Sequence, residues 1–154
     1  MRIGVISDTH DQLPAEVTAL FAGVDAILHA GDVCSAALLG QLAAIAPTTA
    51  VRGNNDRDLT DLPEVATVEL GGHRLWLIHD LGRLLAEPAS DGVACVVSGH
   101  THRPLNARRG TILYFNPGAA GPRRGGRPRT VGLLHLHGRT LTGEIVEFAA
   151  AADG

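Results

Sequence analysis

Aromatic residues are scarce in this chain of 154 residues, at 3% of the sequence. Platforms of stacked rings for bases therefore have little raw material, and the core has to be aliphatic, built from Val, Leu, Ile and Ala. A basic excess is missing too. The formal net charge is -3, so bulk electrostatics gives no reason to expect long nucleic acid as a partner. Only two cysteines occur, and with no cysteine framework nothing asks for an oxidising compartment. Cys95 lies inside an apolar run and reads as a buried thiol. Cys34 lies two residues past Asp32 and so could approach the residues there, but a packing role is the first expectation. No apolar run is long enough to span a bilayer, and the N-terminus enters a strand at once, without the layout of a signal peptide. The expectation is a cytoplasmic protein with no membrane partner. The length fits one domain, 1–154, with a real core; no internal repeat or linker divides it.

Several short apolar runs are each followed by residues that can bind a metal. Ile3-Gly4-Val5-Ile6 leads to Asp8 and His10, and Ala26-Ile27-Leu28 leads to Gly31-Asp32. Thr49-Ala50-Val51 leads to Gly53-Asn54-Asn55-Asp56, Leu75-Trp76-Leu77-Ile78 leads to His79, and the run at 93–97 leads to Gly99-His100-Thr101-His102. Such runs read as buried strands, and ligands of open α/β sheets bind beyond the carboxyl ends of strands. The metal-binding residues thus recur where separate strands can bring them together.

Strands over 2–7, 26–29 and 48–52 alternate with helices over 13–22 and from Ser35 to about Ala46, an order that requires parallel pairing. Pro14 fits a first helical turn and Gly23 an end; Ser35 fits an N-cap and Pro47 a stop. Beyond them, 67–70 and 74–79 flank a hairpin turn, a short helix is expected over 81–87, and strands follow over 93–98, 105–108, 112–116, 130–137 and 140–148, the last two antiparallel. The architecture is α/β, two packed sheets with helices outside. The tail over 149–154 is expected to fray. In Gly99-His100-Thr101-His102 an extended backbone would send the two histidines to one side.

The ordered set D-x-H, G-D, G-N-x-D, H and G-H-x-H resembles the calcineurin-like metallophosphoesterase superfamily, in particular its small bacterial and archaeal phosphodiesterase branch (YfcE-like). The likeness runs from Asp8 to the Asn116-Pro117-Gly118 turn and the Pro122-Arg123 pair. It implies a four-layer sandwich of two mixed β-sheets flanked by helices. It also implies hydrolysis of small phosphodiesters by a hydroxide activated between two divalent metals. Asp32 would bridge the metals; Asp8, His10 and His102 would hold the first, and Asn54, His79 and His100 the second. Imidazole and carboxylate suit manganese, the first expectation, as well as nickel, iron, zinc, cobalt or magnesium. Gly31, Gly53 and Gly99 would let the backbone pass close to the centre.

Taken singly, an Asp before a turn is most often a cap, and a lone histidine is most often a surface or satisfied core residue. The ordered set reverses those odds only for the seven named ligands. His73, His135 and His137 remain surface or core residues, and His29 remains either a support of a ligand or a buried structural group. Arg123 matches the family's Pro-Arg element and is the candidate substrate contact; Arg124 and Arg127 read as a solvated loop, and Arg52 as a weaker candidate for steering phosphate.

Two departures matter. Many members carry a His after the metal-binding Asn, and that His protonates the leaving group; here the position is Asn55, whose amide donates a hydrogen bond but supplies no proton. Asn55 and Asp56 remain the catalytic candidates, with Asp56 free to tie down the loop. After His79 relatives usually carry Gly, where this chain has Asp80, either close to the second metal or a helix cap. The alternatives are a non-catalytic scaffold, for which the retromer subunit with this fold is a precedent, and a nucleotide or dinucleoside-polyphosphate hydrolase. Homo-oligomerisation stays open.

Overall fold

The computed structural model of the chain describes residues 1–123 and 125–148; Arg124 and the tail over 149–154 lie outside the described residues. The strands β1 (Arg2–Ile6), β2 (Ala26–His29) and β3 (Thr48–Ala50) run parallel, and helices α1 (Ala15–Leu20) and α2 (Ala36–Ala43) connect them. Ser35 caps α2 by accepting from Leu38 N at 3.4 Å. Pro14 stands one position earlier than expected, as the residue before α1. The long strands β9 (Arg129–His137) and β10 (Thr140–Phe148) complete this first sheet, in the order β10-β9-β1-β2-β3. The second sheet has the order β4-β5-β6-β8-β7. It is made of the hairpin β4 (Val65–Leu70) and β5 (His73–Ile78), then β6 (Val93–Val97), β7 (Leu105–Arg109) and β8 (Ile112–Asn116). Within it β5, β6 and β8 run parallel.

The runs that read as strands are buried on both faces, which is why they are nearly continuous rather than alternating. Val5 and Leu28 point between the sheets, against Leu77, Val97 and Phe115. Ile6 and Ile27 point the other way, to Val17 of α1, Phe21 just after it, and Leu38 and Leu42 of α2. The fourth layer is thin. The helix expected over 81–87 is instead a single 3-10 turn, Leu81–Arg83, followed by a second at Pro88–Asp91. Gly82 weakens a helix from within, and Pro88 biases Glu87 away from helical angles. Leu81 and Leu84 still cover Trp76, Ile78 and Val96 on the outer face of the second sheet.

Two of the aromatic rings, Phe21 and Phe115, are seated on glycines. A Cβ at Gly132 of β9 or at Gly143 of β10 would run into the Phe115 ring, which is fully buried between the sheets. Burying such a ring contributes roughly 1.5–3 kcal/mol, and the missing side chains are what let the two sheets close over it. Gly132→Ala is therefore expected to destabilise the fold by about 1–3 kcal/mol through overpacking. Thermal unfolding checks this: the loss should shrink in a Phe115→Leu background, and an equal loss in both backgrounds would show that the ring is not the obstacle.

Candidate metal centre

The carboxyl ends of both parallel sets of strands meet at one edge of the sandwich. Asp8 and His10 follow β1, Asp32 follows β2, Asn54 follows β3, His79 follows β5, and His100 and His102 follow β6. Backbone bonds tie the exits together: Asp8 N donates to Gly31 O and His10 N to Asp32 O, both at 3.0 Å, and Gly99 N donates to His79 O at 2.9 Å. His79 Nδ1 donates to Ala30 O at 2.7 Å and so pins one sheet to the other. Asp8, His10, Asp32, His100 and His102 all have positive φ. Left-handed backbone costs a non-glycine residue about 1–3 kcal/mol and persists where the surroundings hold it. The expected extended path through Gly99-His100-Thr101-His102 is thus corrected: the segment bends, because φ is 71° at His100 and 61° at His102.

The bend sends the two histidines to different neighbours. His102 Nε2 lies 3.2 Å from Asp8 Oδ1, and its ring centroid is 5.5 Å from that of His10. His100 Nδ1 lies 3.2 Å from Asn54 Oδ1, which also sits 3.0 Å from His79 Nε2. The His79 and His100 rings are 5.1 Å apart. Between the two groups stands Asp32. Its Oδ2 is 3.7 Å from His10 Nε2 and 3.5 Å from His79 Nε2.

The electrostatics favour a cation here. Asp8 Oδ2 is held by Ser7 Oγ at 2.6 Å and His100 N at 3.0 Å, while its buried Oδ1 turns to His102 Nε2 at 3.2 Å. Burial pushes the Asp8 carboxyl up, but the bonds from His102 and Ser7 and the charge of His79 outweigh it and hold it low. Burial likewise pushes Asp32 up, and hydrogen bonds from His79 and Asn55 bring it far down. For His79 burial pushes down, yet Asp32 and Asp8 win and raise it. Two ionised carboxylates in a buried pocket with an oxygen aimed inward, flanked by imidazoles and an amide oxygen, form a donor set that fits divalent transition metals.

A model of the calcineurin-like phosphoesterase superfamily domain matches residues 1–139. The chain belongs to that superfamily. Membership places it among the metal-dependent hydrolases of phosphoric esters. It is 34% identical to a probable metallophosphoesterase of Methanothermobacter thermautotrophicus, over 97% of this chain and 94% of the relative. It is 33% identical to phosphodiesterase YfcE of Escherichia coli K12, over 87% of each. The solved structure of Chaetomium thermophilum Vps29 superimposes with a TM-score of 0.78, covering 98% of each chain at 20% identity, and shares the fold alone.

Asn55 turns onto Asp32: its backbone N donates to Oδ1 at 2.9 Å and its Nδ2 to Oδ2 at 2.8 Å. Asp56 is buried and accepts from Cys34 N at 2.7 Å and Gly53 N at 2.8 Å, so it ties the loop. A Cβ on Gly53 would strike Asp32, and one on Gly31 would strike His79. Arg123 is exposed in a small cleft that His102 also lines. His73 bonds to Gly138 O and His135 to Glu144, both away from the centre. Arg52 is engaged by Glu64 at 3.3 Å. Asp80 Oδ1 caps the 3-10 turn by accepting from Gly82 N at 3.0 Å, and its Oδ2 lies 3.9 Å from His100 Nε2.

Cys95 is buried as expected, its thiol pushed up to about 12 by that burial. Cys34 does not pack as expected. It is exposed with Sγ 3.9 Å from His10 Nδ1, because left-handed backbone at φ 70° turns it out of the loop. Its thiol is pushed up to about 11 by partial burial and the surrounding carboxylates. Two supports escaped sequence reasoning. Ser7 gives no signal beyond its place before Asp8. Asn116, in the quoted Asn-Pro-Gly turn, donates to Gly99 O at 3.0 Å and Thr101 Oγ1 at 3.3 Å and so sets the histidine loop.

His29 is a structural group. It is fully buried, accepts from Gly31 N at Nδ1 and bonds Thr9 Oγ1 through Nε2. Burial lowers its pKa from 6.5 to about 4. The unfolded chain therefore takes up this proton first as pH falls. The contribution of neutral His29 is whole above the unfolded value and is lost between pH 6.5 and about 4, on the order of 3 kcal/mol. His79 runs the other way, since its raised pKa makes its contribution whole at low pH and lost as pH rises through the folded value. Urea unfolding of chelator-treated protein across that acid window should show stability falling, and His29→Gln should flatten the slope. Parallel slopes would contradict a neutral buried His29.

Proposed function

We propose that this chain is a two-metal phosphodiesterase acting on small phosphodiesters. The observation that carries the reading is Asp32 Oδ2, which faces His10 of one ligand group and His79 of the other. Asp8, His10 and His102 would hold one divalent ion, Asn54, His79 and His100 the second, and Asp32 would bridge them. When bound, such a pair clamps phosphoryl oxygens and makes water a nucleophile at neutral pH.

The chain's own residues do the positioning. Ser7 and the His100 amide fix one Asp8 oxygen and leave the other aimed inward. Ala30 O fixes the His79 ring, so that Nε2 faces the site. Asn55 holds both oxygens of Asp32 and therefore presents no proton to a leaving group. Asp80 adds negative charge beside His100, which disfavours dianionic monoesters more than monoanionic diesters.

A scaffold on the same fold, the second reading, is favoured by the likeness to Vps29, but the ligand set of this chain supports catalysis. Hydrolysis of aryl and alkyl diesters, assayed with manganese, nickel, iron, zinc, cobalt and magnesium, tests the choice. Aryl diesters should be cleaved in a metal-dependent way, with rates falling steeply as the leaving group becomes more basic. Absence of a general acid typically forfeits about 10²–10⁴-fold where the leaving group is basic. A flat dependence with chemistry rate-limiting would mean another acid acts, and no hydrolysis with any of the metals would favour the scaffold.

A further inference from the structure

A cavity of about 550 Å³ opens beside Asn54, His79 and His100. Its wall carries three arginines, Arg52, Arg57 and Arg83. Arg52 is engaged by Glu64 at 3.3 Å. The other carboxylates of the wall are occupied too: Asp56 by two backbone amides, and Asp80 by the Gly82 amide with its second oxygen toward His100. Arg57 and Arg83 are exposed and have no acidic partner among the described residues.

The same wall holds two exposed aliphatic side chains, Val65 at 46% and Leu85 at 100% exposure. Met1 is the one other exposed large hydrophobic among the described residues, so this kind of exposure is concentrated at the cavity. Every cation of the chain is arginine, with no lysine. A guanidinium presents a planar fork that matches carboxylate and phosphate oxygens in pairs. An uncommitted pair of such forks beside an apolar rim fits a ligand with an anionic end and an apolar stem.

We propose that this cavity is the leaving-group subsite, and that it takes diesters whose leaving alcohol carries its own anionic group, a carboxylate or a phosphate. The inference rests on the phosphodiesterase reading and names its substrate class. Water oxygen forms the new bond to phosphorus and the bond to the leaving oxygen breaks. The leaving oxygen departs as an oxyanion and takes its proton from solvent, since Asn55 supplies none. Arg57 and Arg83 bind the distant anion, and Val65 and Leu85 cover the stem.

The test compares manganese-loaded wild type with the Arg57→Gln/Arg83→Gln double variant on three esters: methyl phenyl phosphate, methyl para-carboxyphenyl phosphate and methyl para-phosphonophenyl phosphate. Intrinsic reactivities cancel when each protein's anionic-to-neutral ratio of kcat/KM is compared. That ratio should fall by at least about tenfold in the double variant, the scale of one lost charge-assisted contact. Whichever anionic ester loses more tells carboxylate from phosphate. An unchanged ratio overturns the subsite while leaving the diesterase reading intact. If wild type cleaves none of the esters, the diesterase reading fails instead. Calorimetric titration with the non-hydrolysable methyl para-carboxybenzylphosphonate then decides the cavity's role: weaker binding in the double variant keeps the anion site, and equal binding or none removes it.

Discussion

Two buried carboxylates, Asp8 and Asp32, are kept ionised at the ends of adjacent strands, and most of the molecule is arranged around that fact. Burial alone would neutralise them. Hydrogen bonds from Ser7, Asn55 and the His100 amide, together with the nearby imidazoles, reverse the outcome. The cost appears as left-handed backbone at five of the expected ligands and as a raised pKa at His79. A divalent cation bound there would relieve the same field, and its binding would contribute to the stability of the fold.

The two-sheet architecture makes this arrangement attainable. Parallel strands deliver all their carboxyl ends to one edge, and each sheet contributes one such set: β1, β2 and β3 from one, β5, β6 and β8 from the other. The sheets must then dock closely enough for His79 to reach Ala30 O across the seam. Aliphatic packing of Val5 and Leu28 against Leu77 and Val97, and the Phe115 ring lying over Gly132 and Gly143, set that spacing. The shortage of aromatic residues is in keeping with a seam that accepts a large ring only where glycine makes room.

Much of this was legible in the sequence, because apolar runs buried on both faces announce parallel strands and the residues able to bind a metal follow them directly. The boundaries of β2 and β8 and the antiparallel pairing of β9 with β10 follow from pattern alone. What the pattern could not carry was local backbone handedness. His100 and His102 bend where extension was expected, and Cys34 faces out beside His10 rather than packing inward. The turn at 81–83 stops short because Gly82 and Pro88 outweigh the apolar residues between them. Asp80 reads from sequence as a helix cap or a charge near the histidines; one oxygen caps the turn and the other lies 3.9 Å from His100 Nε2, since a carboxylate has two oxygens to place. The grouping of Arg57 and Arg83 beside one cavity was hidden because they come from loops after different sheets.

The central claim is that one carboxylate, Asp32, serves two ions. Anomalous diffraction from manganese-loaded crystals measures it most directly. Two peaks are expected, one among Asp8, His10 and His102 and one among Asn54, His79 and His100, with an Asp32 oxygen in contact with both. A single peak, or two peaks with Asp32 outside the coordination distance of either, would contradict the dinuclear centre.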